Sequence, residues 1–326
     1  MRAIVIDQPG GPEVLVLREV PTPVPVRGEV RVRVRATAVN RADLLQRIGQ
    51  YPAPADSPAD IPGLEYAGEI DAVGEGVSDL KVGDRVFGLA GGGTYAEQLV
   101  VHARTVAKMP EGLSFTEAAA IPEAFITAWD AMVTQGGLIA GETVLISAVG
   151  SGVGTAAVQL ARAIGARSVG TARTATKLAR AHALGLDDGV VAENGRFSAG
   201  VLQATSGRGV DVILELVGGA YLAEDLACSA PQARIVLVGL LAGRGVELDL
   251  GVVLRKRLRI QGTVLRSRPL EEKIAATQAF ARSVVPLVAR KVVHPVIDRV
   301  MPLADAGEAH RHMATNEGFG KLVLEV

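Results

Sequence analysis

Hydrophobic and polar positions alternate with a short period along the first part of the chain. Over residues 29–39, EVRVRVRATAV, charge and valine alternate for several residues, the period of two that marks a strand with one wet face. YAGEIDAVGEGV and GDRVFGL read as further strands punctuated by glycine, and QYPAPADSPADIPG reads as a proline-rich loop. Residues 1–121 are therefore expected to form a β-rich domain.

The pattern changes at about residue 122. Apolar runs at 143–147, 167–172, 189–192, 210–217, 234–239 and 257–264 now alternate mainly with helical stretches. Six such strands predict an α/β fold with a doubly wound parallel sheet, right-handed crossovers and helices on both faces. Residues 273–290 look helical again, and the tail returns to strand, helix and strand. The expected division is 1–121 with 291–326 as one domain and 122–290 as the other. There is no internal repeat or low-complexity segment.

The stretch ISAVGSGVGTAA, residues 146–157, carries the first chemistry. The strand TVLIS precedes it. After it, Ala157, Leu160, Ala161 and Ile164 recur on one helical face, and Gly165 is a natural stop. The loop formed by Gly150, Ser151, Gly152, Val153 and Gly154 thus joins a strand to a helix N-terminus, where unpaired N–H groups and the helix dipole favour a pyrophosphate. Its spacing is GxGxG rather than GxGxxG, so the strand, the helix and the repeated βα units around it carry the assignment to dinucleotide binding.

The next strand, RSVGTA, leads into GTARTATK. An acidic residue there would accept from the ribose 2′-hydroxyl of NAD. None is present. Arg173, Thr174 and Lys177 instead offer charge and a hydroxyl to a 2′-phosphate, which points to NADPH, unless the two cations only solvate the helix start.

Composition narrows the partners. The 326 residues are 48% hydrophobic, with 34 basic and 35 acidic side chains and a net charge of −1. That balance gives no general attraction to nucleic acid or anionic membrane. The longest uncharged run, 143–161, contains three glycines and several hydroxyls and reads as a soluble strand and helix rather than a membrane span. The single cysteine, Cys228, permits no intrachain disulfide and reads as a small buried hydrophobe. A soluble cytoplasmic protein is expected.

NRADLLQRIGQYP, IPGLEYAGEI, VGDRVFGL, PEAFITAWD, SGVGTAAVQLA and VLVGLLAG, taken in order, resemble the medium-chain dehydrogenases/reductases. Within them the chain resembles the zinc-independent NADPH:quinone oxidoreductases, the zeta-crystallin-like branch. The resemblance spans nearly the whole chain. It implies a GroES-like β-domain, a Rossmann domain, a cleft between them and a homodimer. The positions matching the catalytic zinc ligands of related alcohol dehydrogenases hold Asn40, Leu64 and Glu123, a set that cannot form a three-ligand site, so no metal is expected. The family fingerprint AxxGxxG corresponds to Ala148, Ser151 and Gly154.

Hydride transfer from a nicotinamide to a quinone needs geometry and hydrogen-bond donors more than a strong acid. Asn40, Tyr51 and Ser151 are the candidate catalytic donors. Each has a structural alternative: satisfying loop backbone, loop packing and capping a helix, respectively. The resemblance places Asn40 and Thr127 against the nicotinamide end of the cofactor, with Gly239 and Leu240 beside it after the strand RIVLV. Without zinc, Glu65 and Asp43 become structural hydrogen-bond partners. The cluster RKRLR is expected to flank the last strand near a dimer edge, and the strand RLRIQGTV to pair with its copy there. Quinones are the leading small-molecule substrates. Enones or enoyl thioesters are the alternative, and a non-catalytic NADPH-binding role is a third reading.

Overall fold

The computed structural model describes residues 1–326 and divides into two compact units, Met1–Ile126 with Leu265–Val326, and Thr127–Val264. In the first unit, β1 (Arg2–Ile6) and β2 (Leu15–Glu19) form an antiparallel pair. β3 (Glu29–Val39), β4 (Glu65–Val73), β5 (Arg85–Leu89), β6 (Gln98–His102) and β7 (Val106–Lys108) form the body of a larger sheet. The alternation in β3 has the expected consequence. Val30, Val32 and Val34 are buried with Tyr66, Ile70, Val86 and Leu99, while Arg33 and Arg35 face solvent. From Ala36 to Val39 both faces of the strand are covered, which is why the charges stop there.

The second unit holds β8 (Thr143–Ile146), β9 (Arg167–Ala172), β10 (Asp188–Val191), β11 (Val210–Glu215), β12 (Ser229–Leu237) and β13 (Arg259–Gly262). All pairings are parallel and the order is β10-β9-β8-β11-β12-β13, so the six apolar runs become the six strands. The order reverses at β8, and open sheets of this kind bind ligands beyond the strand C-termini at such a point. Leu145, Val169, Ile213 and Ile235 give the core one residue from each of four neighbouring strands, and Cys228 is buried among them. Part of the RKRLR cluster has an internal role: Lys256 Nζ donates to Leu226 O, Ala227 O and Ser229 O at 2.8–2.9 Å, capping the C-terminal end of the helix Tyr221–Cys228.

The chain returns to the first unit at Leu265, earlier than expected. Residues 265–290, assigned by their pattern to the nucleotide domain, belong with the β-rich unit. The reason is the buried side of the helix Leu270–Ser283, whose Phe280 packs edge-on against Phe87 of β5 at 5.5 Å between ring centres. Helical periodicity shows that a segment has an apolar face, but not which core receives it. β14 (Ile297–Pro302) and β15 (Lys321–Glu325) then complete the first sheet, in the order β14-β15-β3-β4-β5-β7 with β6 also on β3. No helix is long and apolar enough to cross a membrane.

Each unit buries charge. In the first, Leu322 pairs with Val39 and Tyr66 with Thr37, so the starts of β15 and β4 meet the end of β3. This register places Lys321 Nζ 2.6 Å from Glu65 Oε1, with side chains 5% and 0% exposed. In the second, Glu215 and Asp225 are both fully buried and interact with each other. Glu215 Oε1 accepts from Gly218 N at 2.7 Å and from Val217 N, shaping the turn after β11. Glu215 Oε2 and both Asp225 carboxylate oxygens find no donor, so the two acids can bond only by sharing a proton. Burial raises both carboxyls above their usual range, and the proximity of Glu215 adds to the rise at Asp225.

Two outcomes are expected. Lys321→Met leaves Glu65 as an uncompensated buried charge and should lower unfolding stability by about 3–5 kcal/mol in urea titrations; a loss below ~1 kcal/mol would contradict the pairing. The acid pair's contribution is fully present below the unfolded carboxyl pKa, about 4, and is lost as pH rises through the raised folded values. Asp225→Asn, whose amide can donate to Glu215 Oε2, should therefore raise the melting temperature near pH ~8 and change it little near pH ~4. The opposite pH trend in thermal melting would rule out the shared proton.

Candidate functional site

In the second unit, the glycine loop follows β8 and the helix Gly152–Ile164 begins inside it. Ala148 adopts φ 49°, the left-handed conformation that turns the chain out of the strand. Gly154 is needed for contact rather than for backbone freedom: a Cβ there would lie 2.5 Å from Ala148 O and 2.7 Å from Val149 Cα. Both are backbone atoms, so the helix can approach the loop this closely only with glycine. The helix start therefore lies tight against the end of β8 and presents its first N–H groups in the geometry that receives a phosphate.

Ser151 is the N-cap, its Oγ accepting from Gly154 N at 3.0 Å. The capping alternative thus describes its place in the structure. That bond uses Ser151 as an acceptor and leaves its O–H as a donor. Gly165 ends the helix at φ 84°, as its position suggests.

β9 lies beside β8, and at its C-terminal end Arg173 and Thr174 are exposed. Thr174 caps the next helix, Ala175–Ala183, accepting from Lys177 N at 3.4 Å. The pairing of β8 with β9 thus brings the glycine loop and the basic turn to the same edge of the sheet. This donor set suits an anionic dinucleotide: a helix N-terminus, a contact only glycine allows, and cations where an acid would repel a 2′-phosphate. Gly239 and Leu240 follow β12 at its C-terminal end, where a Cβ on Gly239 would meet Leu216 O at 2.2 Å and Leu240 is 52% exposed. Thr127 is buried in the helix Pro122–Trp129.

In the first unit, Asn40 caps the helix Arg41–Arg47 and is buried. Its Nδ2 donates to Glu65 Oε1 at 2.9 Å and Ala38 O at 3.2 Å, and its Oδ1 accepts from Lys321 Nζ. Both amide hydrogens are therefore engaged inside the unit, the arrangement of the structural alternative. Glu65 Oε2 accepts from Glu123 N at 2.8 Å, so one carboxylate links three of the segments singled out from sequence.

Asp43 is fully buried. It accepts from Asn40 N at 2.8 Å, Gly63 N at 3.1 Å and Tyr95 Oη at 3.3 Å. Burial pushes its carboxyl up to about 6, against those backbone bonds and the charges of Arg266 and Lys321. Tyr95 Oη lies 3.2 Å from His310 Nε2, and burial followed by the nearby Arg47 lowers that imidazole to about 3, so it is neutral at physiological pH.

Tyr51 is half-buried at the start of the proline loop. Its backbone N–H donates to Leu45 O at 3.3 Å, and its ring lies 5.2 Å from the Arg266 guanidinium. Burial raises its phenol above the ordinary value, Arg266 draws it down and Glu123 adds to the rise.

Lys321, Arg266, Tyr95 and His310 were missed by the sequence reading. The one available signal was charge inside apolar runs. GKLVLEV opens a strand with lysine, and a lysine that enters a covered sheet needs a partner.

The zinc-ligand positions do not fit the metal: Asn40 is bonded as described, Leu64 is a buried hydrocarbon, and Glu123 has no thiol or imidazole companion. No group of three or more His, Cys, Asp or Glu side chains is placed to hold an ion.

Comparison with known proteins agrees with this anatomy. Residues 26–111 match the alcohol dehydrogenase GroES-like domain, and residues 152–282 match the zinc-binding dehydrogenase family. The quinone oxidoreductase of Homo sapiens is 33% identical over 342 residues, covering 99% of this chain and 97% of that protein. The crystal structure of an NAD-dependent alcohol dehydrogenase is 34% identical with a TM-score of 0.89, over 100% of both chains. The structure of mycobacterial Rv1454c complexed with NADPH is 28% identical with a TM-score of 0.88, also over 100% of both. With a GroES-like and a Rossmann unit in one chain, matched in both sequence and structure, the protein belongs to the medium-chain dehydrogenase/reductase family and is an oxidoreductase of that family.

Proposed function

We propose that the protein is an NADPH-dependent quinone oxidoreductase that needs no metal and works as a cytoplasmic homodimer. The observation that carries the reading is the nucleotide edge of the second unit. There the glycine loop and helix start lie beside a strand end that holds Arg173, Thr174 and Lys177 and no acid. The NADPH complex of Rv1454c and the name of the human relative support the same cofactor and acceptor.

When bound, the dinucleotide supplies a hydride. The loop residues Gly150, Ser151, Gly152, Val153 and Gly154 hold its pyrophosphate at the helix N-terminus. Arg173, Thr174 and Lys177 bind the 2′-phosphate, while Thr127, Gly239 and Leu240 line the nicotinamide end. On the acceptor side, a quinone takes the hydride's two electrons and needs one proton more to become the hydroquinone. Tyr51, with its O–H, is the donor to the acceptor oxygen, and the O–H of Ser151 is a donor to a cofactor oxygen. Asn40, with its amide hydrogens engaged, acts by holding Glu65 and Lys321 in place. A quinone accepts hydride without a Lewis acid because its reduced charge is delocalised, which suits a donor set of hydroxyls. The lone buried cysteine suits a reducing compartment.

The reading predicts rapid oxidation of NADPH, and not of NADH, with a small ortho-quinone, followed by nicotinamide absorbance. Removing both cations in Arg173→Ala/Lys177→Ala should raise the KM for NADPH about 10–100-fold, as the loss of charge-assisted bonds worth ~1.5–3 kcal/mol implies, and leave any NADH activity unchanged. Equal effects on both cofactors would remove the phosphate seat. Turnover of conjugated enones but not quinones would reassign the acceptor.

The edge position of β13 suggests the dimer, since an identical strand can add to it across a two-fold axis. A monomer mass by light scattering at micromolar concentration would exclude it.

A further inference from the structure

Arg266 is 5% exposed, and the buried Asp43 carboxylate acts on it through space without a bond between them. Its Nε donates to Gly91 O at 2.6 Å, its Nη1 to Tyr51 O at 3.2 Å and its Nη2 to Gln46 Oε1 at 2.5 Å. Every acceptor is neutral. Gln46 is itself held by Ala59 O, at 3.1 Å from its Nε2. The guanidinium therefore joins the helix Arg41–Arg47, the proline loop and the turn after β5. Farther along the chain, Lys273 reaches Asp56 of the same loop at 3.1 Å.

A buried cation with no bonded anion is costly, and proteins normally pair it. Here the fork is spent instead on tying three segments together, with the charge lying 5.2 Å from the ring centre of Tyr51. A cation near an aromatic face is held by the ring's electrons. A cation near a phenol also stabilises the phenolate, which makes the proton easier to give up.

We infer that Arg266 is a positioning residue for the acceptor step: its buried guanidinium, hydrogen-bonded to neutral acceptors, fixes Tyr51 and biases the phenol toward passing its proton to the reduced acceptor. This rests on the reading of Tyr51 as the donor proposed above. In the step, the phenol O–H bond breaks as a new O–H bond forms on the acceptor oxygen that carries the hydride's electron pair. The phenolate left behind lies in the field of Arg266, whose guanidinium sits over the ring, and is reprotonated from solvent. Neither Arg266 nor Tyr51 changes oxidation state.

The sign of one titration separates this role from a purely structural one. Tyr51 ionisation is read as the ultraviolet difference between a protein and the same protein carrying Tyr51→Phe. Arg266→Met should move that ionisation to higher pH, because the charge that draws it down is gone while the carboxylate of Glu123, which raises it, remains. If Arg266 only clamps the loop, release would expose the ring and move the ionisation to lower pH. A downward shift or no shift overturns the inference. Arg266→Lys keeps the charge without the fork, so its titration should stay near wild type even if Arg266→Met fails to fold. A titration for the lysine variant that departs from wild type would also overturn it.

Kinetics give the second readout. Tyr51→Phe should lower kcat about 100-fold, the scale of a lost proton donor, with NADPH affinity unchanged. Arg266→Met should lower kcat in the same direction, and the double variant should be no slower than Tyr51→Phe alone. Additive losses overturn the coupling. The phenol titration needs no acceptor. A wild-type protein that reduces no quinone or enone would therefore defeat the functional reading while leaving the titration to decide the Arg266–Tyr51 pair.

Discussion

The buried pair Lys321–Glu65 is the constraint on which the arrangement of the first unit turns. A carboxylate with no exposure to water is tolerated only when its oxygens are bonded and its charge is met. Glu65 meets this through Lys321, Asn40 and the backbone of Glu123. Each of these comes from a different part of the chain: the last strand, the end of β3 and the helix near residue 123. Satisfying one carboxylate thereby fixes the ends of three sheet strands, the cap of the helix Arg41–Arg47 and the start of the segment that leads into the nucleotide unit. Asp43, one turn into that helix, extends the bonded network to Gly63 and Tyr95.

The same region holds its shape through bonds among its own side chains and backbone. Asn40 and the buried Leu64 stand beside acids that are bonded to backbone N–H groups, to a lysine and to a tyrosine. The network is complete among the chain's own atoms. In the second unit the controlling constraint is steric. Gly154 sits where any side chain would strike backbone, so close approach of helix to loop, and the phosphate geometry that follows from it, depends on one missing Cβ.

Much of this was legible in the sequence because it depends on local rules. The period of two in β3, the alternation of strands and helices after residue 122, the six strands, the stop at Gly165 and the glycine loop all follow from neighbours in the chain. Ser151 and Thr174 illustrate the middle ground: residues expected at the loop and turn are there, and both cap helices, a local role that any serine or threonine before a helix can fill.

What the sequence did not reveal depends on contacts between distant residues. The assignment of residues 265–290 was decided by Phe280 meeting Phe87, and the partner of Glu65 by a strand 256 positions later. Asn40 is as visible in the sequence as any candidate, but whether its amide is free depended on Glu65 and Lys321 arriving beside it. Arg266 is one arginine among many until folding brings Gln46, Tyr51 and Gly91 to its three nitrogens. The elements, their order and the nucleotide loop could be read from residue order, since periodicity, turn chemistry and helix ends are short-range. Which buried charges pair, and which polar groups remain to do chemistry, emerged on folding, because desolvation and hydrogen-bond competition are settled by neighbours that chain order does not specify.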